Sequence, residues 1–317
     1  MTLIIAHGLP KSGSTFLFQV AKDVAASING FPYVEAQDRF FPGMDAVGYV
    51  QQPVDSIIEP MLRLLPPKAS FVLKTHGRMT PLIASGIQSG SIKALVSFRD
   101  PRDALVSMLD AGVSDRENGK ERGFDLLRRV DDALRPLKGS WGMARDWAFF
   151  PGVLAIPYLL TATNQDFVIR LICTHLRAGH CFSAIRERYA QDKGSKIAEF
   201  NKGLADRFLE ALTPEEIARV SKDFKNEIAE CDALTARWMQ AYGFHTLHQA
   251  MHERRQKRLD QLVGRAGRSN AADDGAAHSL HASGPPPRER QGMHTSSLSP
   301  LARSSRERVI ARERGRI

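Results

Sequence analysis

Short apolar runs alternate with amphipathic stretches along much of this chain. An apolar run without polar alternation is typical of a strand buried on both faces, whereas apolar residues spaced three and four apart predict a helix. The apolar runs lie at 2–6, 71–75, 92–98 and 153–158. The helical pattern covers 14–27, 54–65, 101–109, 121–136, 139–149, 164–178 and 245–262. This alternation predicts an α/β fold in three layers, a central, mostly parallel sheet flanked by helices.

A further helix has a clear start signal. Thr213 is a good N-cap, Pro214 suits the first helical position, and Glu216 completes a capping box. The segment 29–52 has aromatic residues and Pro and Gly breaks but no regular pattern, so we expect it to be irregular.

Composition divides the chain into two parts. Of 317 residues, 43% are hydrophobic, enough for one core with additional chain beyond it. From about Gly264 the sequence is rich in Arg, Ser, Gly, Ala and Pro and has few large apolar residues. Such a segment cannot bury enough surface to offset its ordering entropy. We therefore predict a folded domain at 1–262 and a disordered basic tail at 263–317.

The positive charge is concentrated at the carboxyl end. The chain has 44 Lys and Arg against 35 Asp and Glu, a net charge of +9. Residues 251–317 contain 14 of these basic residues and 7 of the acidic ones. The folded body is therefore close to neutral, and its composition does not predict nucleic-acid binding.

Two further patterns limit location and metal chemistry. No apolar run reaches the roughly 18 residues that span a bilayer, and no basic segment precedes the first apolar run, so we expect a cytoplasmic protein without a membrane span. The cluster Cys173, His175, His180 and Cys181 fits no common zinc spacing, and the three cysteines make no disulfide framework. No metal is expected.

The strongest motif is the loop Gly8–Thr15 between the first predicted strand and the first helix. A glycine-rich turn at a helix start directs backbone N–H groups toward an anion, which the helix dipole also favours. The spacing from Gly8 to Gly13 matches a phosphate-binding P-loop, but Ser14 stands where that loop has its Lys. The loop's lysine is Lys11, two residues before Gly13.

Four segments together resemble a known enzyme family. Pro10–Phe16, PKSGSTF, is similar to the 5′-phosphosulfate loop of sulfotransferases that use 3′-phosphoadenosine 5′-phosphosulfate (PAPS). Arg99–Ser107 follows a buried strand, as the 3′-phosphate motif of that family does. Lys74–His76 resembles its KTH segment, and Phe200–Gly203 is a weaker match to its late RKG segment. The resemblance spans residues 2–245 and implies the P-loop-type three-layer fold.

The resemblance assigns roles to the loop. Lys11 would neutralise charge on the leaving 5′-phosphate, as a catalytic residue that also binds the donor. The other phosphate-binding positions would be Ser12, Gly13, Ser14 and Thr15. Phe16 occupies a position where the family commonly stacks a Trp on adenine, although the first apolar residue of such a helix is also typical of a core.

Other positions would bind the remainder of the donor. Arg99 and Ser107 would bind the 3′-phosphate together with Lys202 and Gly203, and Tyr158 matches a family tyrosine. Two departures weaken the match. Asn201 replaces the family's Arg, and leucines at 159 and 160 replace an acidic pair after Tyr158.

The resemblance makes His76 the general base, and the ordinary pKa of imidazole, near 6.5, suits that task. Lys74 either assists the leaving group or pairs with a carboxylate. The segment 29–52 offers other candidate bases, namely Glu35, Asp38 and Asp45.

The sequence thus predicts a sulfotransferase that moves a sulfuryl group in line from PAPS to a hydroxyl or amine of a small-molecule or glycan acceptor. A homodimer is left open. One alternative is a P-loop nucleotide kinase, which would need Mg²⁺ and a differently placed lysine. Another is a binding protein whose basic tail contacts RNA or anionic lipid.

Overall fold

A computed structural model describes residues 2–29, 48–53, 55–64, 69–121, 123–191 and 204–277. The strands within these ranges are β1 (Thr2–Gly8), β2 (Tyr49–Val50), β3 (Ser70–Thr75), β4 (Ile92–Phe98) and β5 (Val153–Pro157). They form one sheet in the order β2-β3-β1-β4-β5, and every described pairing is parallel.

Helices cover both faces of this sheet, so the predicted three-layer α/β fold is confirmed. The first part of the chain contains α1 (Ser14–Asn29), α2 (Asp55–Leu64), α3 (Pro81–Ser89), α4 (Pro101–Glu117) and α5 (Val130–Phe149). The second part contains α6 (Tyr158–Thr163), α7 (Gln165–His175), a 3₁₀ turn (Gly179–Cys181), α8 (Phe182–Gln191), α9 (Phe208–Ala211), α10 (Pro214–Asp223), α11 (Lys225–Ala241) and α12 (His245–Ala277). Within the ranges above, no helix has the length and apolarity needed to cross a membrane.

The alternation of side chains along β1 divides the core between the two faces. Leu3 and Ile5 pack into one apolar cluster, which also contains buried residues of α5. Ile4 and Ala6 pack into another cluster, with buried residues of α1 and α7. Successive strand residues point to opposite faces, so a strand covered on both sides has few polar positions, which here lie mostly near the strand ends. This explains the uninterrupted apolar runs.

The structure corrects one helix prediction. The stretches 121–136 and 139–149, predicted as separate helices, form the single helix α5, which begins only at Val130 and includes Pro136. Its buried residues continue across the proline at helical spacing, from Ala133 through Leu137 to Trp141. Packing of this stripe against the sheet outweighs the backbone hydrogen bond that a proline removes.

The register brings the carboxyl ends of the strands to one edge. His7 pairs with Thr75, Gly8 with Ser97, and Phe98 with Pro157. The residues that follow these strands therefore share a border of the sheet, the location at which open α/β sheets bind ligands. At the other end of the chain, α12 continues through residue 262 to Ala277, and residues 278–317 lie outside the described residues.

Candidate active site

Two residues with positive φ shape the loop from Gly8 to Thr15. Lys11 has φ 64° and Gly13 has φ 89°. The left-handed conformation is easily adopted by glycine but costs a residue such as lysine roughly 1–2 kcal/mol. The surrounding contacts must hold Lys11 in this conformation, and such strain is concentrated at functional sites. The Lys11 ammonium lies 5.9 Å from the centre of the Phe124 ring.

Ser12 fastens the loop to the sheet. Its amide donates to the Leu9 carbonyl at 3.1 Å, and its hydroxyl lies 2.5 Å from the same oxygen and 2.8 Å from the Ser97 hydroxyl. The sequence assigned Ser12 to phosphate binding. In the structure its amide and its hydroxyl both hold the turn against the sheet.

The backbone at Gly8 passes close to β4. A Cβ on Gly8 would lie 2.3 Å from the Ser97 hydroxyl oxygen and 2.7 Å from the Ser14 Cβ. Real Cβ contacts are never this short, so the close passage requires glycine here.

His76 binds this loop directly. Its Nδ1 lies 2.6 Å from the Gly8 carbonyl oxygen. A carbonyl can only accept, so Nδ1 carries the proton and, in the neutral ring, Nε2 carries the lone pair. The Tyr49 ring centre lies 5.8 Å from that of His76, and burial raises the pKa of this tyrosine.

Lys74 binds the opposite end of the loop. The Lys74 ammonium donates to the Thr15 hydroxyl at 2.8 Å. Thr75 points to the other face of β3, where its hydroxyl donates to the Gln51 carbonyl at 3.3 Å and accepts from the Gly77 amide at 3.0 Å. The Lys74 ammonium therefore lies at the carboxyl end of the loop from Gly8 to Thr15.

Arg99 joins three parts of the chain at the sheet edge. Its Nη1 donates to the Lys11 carbonyl at 3.1 Å and its Nη2 to the Leu204 carbonyl at 2.9 Å. The guanidinium also stacks 4.0 Å from the centre of the Tyr158 ring. The residue is only 4% exposed, and within the described residues its Nε has no hydrogen-bond partner. A buried donor without a partner is costly, and a bound anion would satisfy it.

The first turns of α4 present polar side chains to the segment that begins at Leu204. Asp103 accepts from the Asp206 and Phe208 amides at 2.8 and 3.2 Å, and Asp110 pairs with Arg207 at 2.6 Å. Ser107 lies between these carboxylates at helical spacing and is 1% exposed. The 3′-phosphate candidates Arg99 and Ser107 therefore border the same segment.

Asp100 begins α4 as its N-cap, accepting from the Arg102 amide at 2.9 Å. Its carboxylate also binds the Arg102 side chain, at 3.0 and 2.6 Å. Burial would raise the pKa of Asp100, but Arg102 and Arg255 outweigh burial and lower it to about 2. Asp100 therefore caps this helix and orients Arg102.

The remaining candidates are Phe16 and residues of two further segments. Phe16 is 1% exposed and packs edge-on against Tyr189 at 5.4 Å, which favours a core position over adenine stacking. Lys202 and Gly203, and the candidate bases Glu35, Asp38 and Asp45, lie outside the described residues.

The cysteine–histidine cluster has ordinary structural roles. Cys173 packs into the apolar core, and burial, together with neighbouring Cys181, raises its pKa to about 11. Burial and then Lys93 lower the pKa of His175 to about 4. Among the described residues, no three His, Cys, Asp or Glu side chains are grouped so that they could hold a metal.

Sequence reasoning missed His7. Its fully buried ring stacks 4.9 Å from Trp147 and lies edge-on to His76 at 6.4 Å. Burial and then His76 lower the pKa of His7 to about 3, so it is neutral at neutral pH. A histidine within an apolar run gives no signal of its neighbours, because these contacts arise only when the strands align.

Comparison with known proteins gives weak similarities. No family model matches the chain, and no curated protein matches it in sequence. Among solved structures, it is similar to retinol dehydratase in complex with androsterone and the inactive cofactor PAP, at 14% identity and a TM-score of 0.43, covering 72% of this chain and 80% of that one. It is also similar to the mouse sulfotransferase SULT7A1 complexed with PAP, at 15% identity and a TM-score of 0.44, covering 72% and 84%.

Sulfotransferase STF9 from Mycobacterium avium matches at 12% identity and a TM-score of 0.37, covering 72% of this chain and 76% of that one. With identities below 25% and TM-scores below 0.5, these similarities assign neither a family nor a function to the chain.

Proposed function

We propose that this protein is a sulfotransferase that transfers a sulfuryl group from PAPS to a hydroxyl or amine of a small-molecule or glycan acceptor. One observation carries the proposal. Two backbone carbonyls of a single strained loop bind the two key side chains, Gly8 binding His76 and Lys11 binding Arg99. His76 and a buried cation are thus held at the start and in the middle of a loop suited to an anion.

The donor would lie across this edge of the sheet. Its 5′-phosphate would meet Gly13, Ser14 and Thr15 at the start of α1, where the helix dipole favours negative charge. Its 3′-phosphate would meet Arg99 and, on the facing side of α4, Ser107. Within the part of the chain that the structure describes, the Nε of buried Arg99 has no hydrogen-bond partner, which supports this assignment because a phosphate oxygen would accept from it.

In the reaction, the bond between sulfur and the phosphate oxygen breaks while a bond forms between sulfur and the acceptor oxygen or nitrogen. The Nε2 of His76 takes the proton that the acceptor loses. Lys11 and Lys74 stabilise the charge left on the 5′-phosphate, Lys74 from its contact with Thr15. Such transfers depend mainly on positioning and charge.

The environment of Asp100 disfavours the kinase alternative. A P-loop kinase normally holds Mg²⁺ with an aspartate at a strand end. Asp100 is the aspartate that follows β4, but it is buried and both of its oxygens are bound to Arg102. This carboxylate is not presented to a metal, and the loop lacks the kinase lysine.

Thermal unfolding with adenosine 3′,5′-bisphosphate, the desulfonated product, tests the proposal. A ligand that binds only the native state, at one hundred times its Kd, adds about 2.7 kcal/mol of stability. The melting temperature should therefore rise with the bisphosphate and remain unchanged with ATP and Mg²⁺. Sulfuryl transfer from PAPS to a panel of phenols, alcohols, amines and sugars would then identify the acceptor class.

The opposite pattern would contradict the proposal. If ATP with Mg²⁺ stabilises the protein and the bisphosphate does not, the site belongs to a phosphotransferase. If neither nucleotide shifts the melting temperature, the loop does not bind a nucleotide.

A further inference from the structure

Arg255 on α12 inserts into a cluster of three carboxylates next to the proposed donor site. Its Nε binds Asp206 at 2.6 Å, and its Nη1 lies 3.0 Å from Asp232 and 3.4 Å from Asp100. The side chain is 15% exposed. Burial opposes its charge, but the carboxylates, Asp100 first, outweigh burial and raise its pKa. Arg255 is thus a permanent cation in contact with three elements.

Of the three carboxylates, Asp206 connects Arg255 to the segment that contacts Arg99. It has φ 61°, a left-handed conformation that costs a residue other than glycine about 1 kcal/mol, less for aspartate than for most. Its amide donates to Asp103 at 2.8 Å, while Arg255 binds its carboxylate from the other side. The strained turn is therefore fastened at its backbone by α4 and at its side chain by α12.

This turn supports Arg99. The Leu204 carbonyl, two residues before Asp206, accepts from Arg99, and Asp103 lies 3.5 Å from Arg99. Arg99 also borders a cavity of about 40 Å³, which Asp232 and Arg255 line as well. That volume exceeds the space of one water molecule, so there is room beside the guanidinium, and its hydrogen bonds to the Lys11 and Leu204 carbonyls help to fix its position.

We propose that Arg255 is a positioning residue for donor binding, which holds the Leu204–Phe208 segment so that Arg99 points at the 3′-phosphate. The inference rests on the proposed function and extends it to α12, an element that carries none of the motifs. Arg255 does not touch the donor. It acts through Asp206, the Leu204 carbonyl and Arg99 in turn.

The test is calorimetric titration of adenosine 3′,5′-bisphosphate into the full chain and its variants. Arg255→Ala should raise the Kd about tenfold, the loss typical of removing charged hydrogen bonds. Arg255→Lys keeps the charge but loses the planar guanidinium that binds several carboxylates at once, so the Kd should rise less than in Arg255→Ala, roughly threefold. Arg258→Ala is the matched control, because Arg258 lies one turn further along α12 and pairs with exposed Glu210 instead of the carboxylates around Arg255. Its Kd should equal that of the wild type.

Kinetics separate positioning from a general loss of structure. With an acceptor in hand, Arg255→Lys should raise KM for PAPS and change kcat less than twofold, since Lys11 and His76 are untouched. Hydrogen exchange supplies a readout that needs no donor. The Asp206 and Phe208 amides should exchange faster in Arg255→Lys and at the wild-type rate in Arg258→Ala.

Three results would overturn the inference. The first is an unchanged Kd in both Arg255 variants. The second is a reduced binding stoichiometry of these variants with an unchanged Kd, which would mean that Arg255 only supports folding. The third is Asp206→Asn combined with Arg255→Lys giving the sum of the two single effects, because residues acting through one contact are not additive. If the wild type itself fails to bind the bisphosphate, the proposed function fails instead. Faster amide exchange in Arg255→Lys would even then show that Arg255 holds the Leu204–Phe208 segment in place.

Discussion

At Gly8 the loop passes so close to β4 that a methyl group has no room. Gly8→Ala should distort the Gly8 carbonyl and with it the contact to His76, raising the Kd for the bisphosphate at least tenfold and lowering stability by about 1–3 kcal/mol, the usual cost of overpacking. Titration and chemical denaturation measure both effects.

Gly139→Ala is the control for that substitution. Gly139 lies in α5, where an added Cβ meets nothing within 4 Å. Alanine should stabilise this helix by about 0.5–1 kcal/mol and leave binding unchanged. Equal binding losses at both glycines would contradict the steric explanation.

Lys11 and Arg99 are both cations of the site, but replacing each with alanine should change different kinetic constants. In our proposal Lys11 meets charge that develops only as the bond to sulfur breaks, so Lys11→Ala should lower kcat about a hundredfold or more. Arg99→Ala should mainly weaken donor binding, because the 3′-phosphate is charged throughout the reaction. Steady-state kinetics with PAPS separate the two, and an equal loss of kcat in both variants would contradict these roles.

His7 makes the protein sensitive to acid. Its pKa is lowered from 6.5 to about 3, so below pH 6.5 the unfolded chain binds a proton that the native state excludes. The free energy of unfolding should therefore decrease as the pH is lowered below 6.5, by up to about 1.4 kcal/mol per pH unit, until the pH reaches the native pKa. His7→Phe preserves stacking on Trp147 and should flatten this slope between pH 6 and 4.

Urea denaturation across that pH range provides the measurement. The exposed His180, changed to Gln, should leave the slope as it is in the wild type. His175, with a pKa of about 4, retains its own smaller contribution in every variant. An unaltered slope in His7→Phe would show that His7 is not the group responsible.

The residues of the site differ in how far sequence could predict them. Lys11, Arg99 and His76 were predicted because the segments around them resemble sulfotransferase motifs and follow a glycine turn or a strand end, and their roles remain predictions. Their partners could not be found in this way. The carbonyls of Gly8 and Leu204 belong to the backbone, which every residue shares, and only the folded register brings them to a side chain.

Among the elements, α10 illustrates a local signal that folding preserves. The Thr213 hydroxyl accepts from the Glu216 amide at 3.2 Å, and the Glu216 carboxylate accepts from the Thr213 amide at 2.9 Å. The capping box predicted from sequence is confirmed, since all its donors and acceptors lie within four residues.

Removing that cap should cost stability without affecting binding. Thr213→Ala should lower the free energy of unfolding by about 1 kcal/mol, whereas Thr213→Ser keeps the hydroxyl and should cost less. Denaturant midpoints for the two variants measure the difference. A changed Kd for the bisphosphate in Thr213→Ala would contradict a purely local role for this cap.

Elements without a local signal escaped prediction. The strand β2 is two residues long, too short for any periodicity, and joins the sheet only by pairing with β3. The helix α3 begins with a Thr80 cap and Pro81, but has only nine residues in which a stripe can be recognised.

For the whole molecule, the class of fold followed from the pattern of apolar runs, whereas the strand order did not. Nothing in the runs themselves distinguishes a central strand from one near an edge, because each is mostly apolar. The position of β1 between β3 and β4 depends on which helices cover which face. That depends in turn on long-range packing of α1 and α5, which no short window of sequence contains.

The central position of β1 also leaves this strand unpaired during synthesis. Thr2 pairs with Ser70 and Leu3 with Ile92, so this strand leaves the ribosome long before either neighbour exists. Both of its faces are apolar, and an unpaired strand of this kind can associate with other nascent chains. A polar substitution cannot protect it, since neither face reaches water in the mature fold. We therefore expect the yield of native protein to depend on chaperones that shield the first residues until β4 has been made.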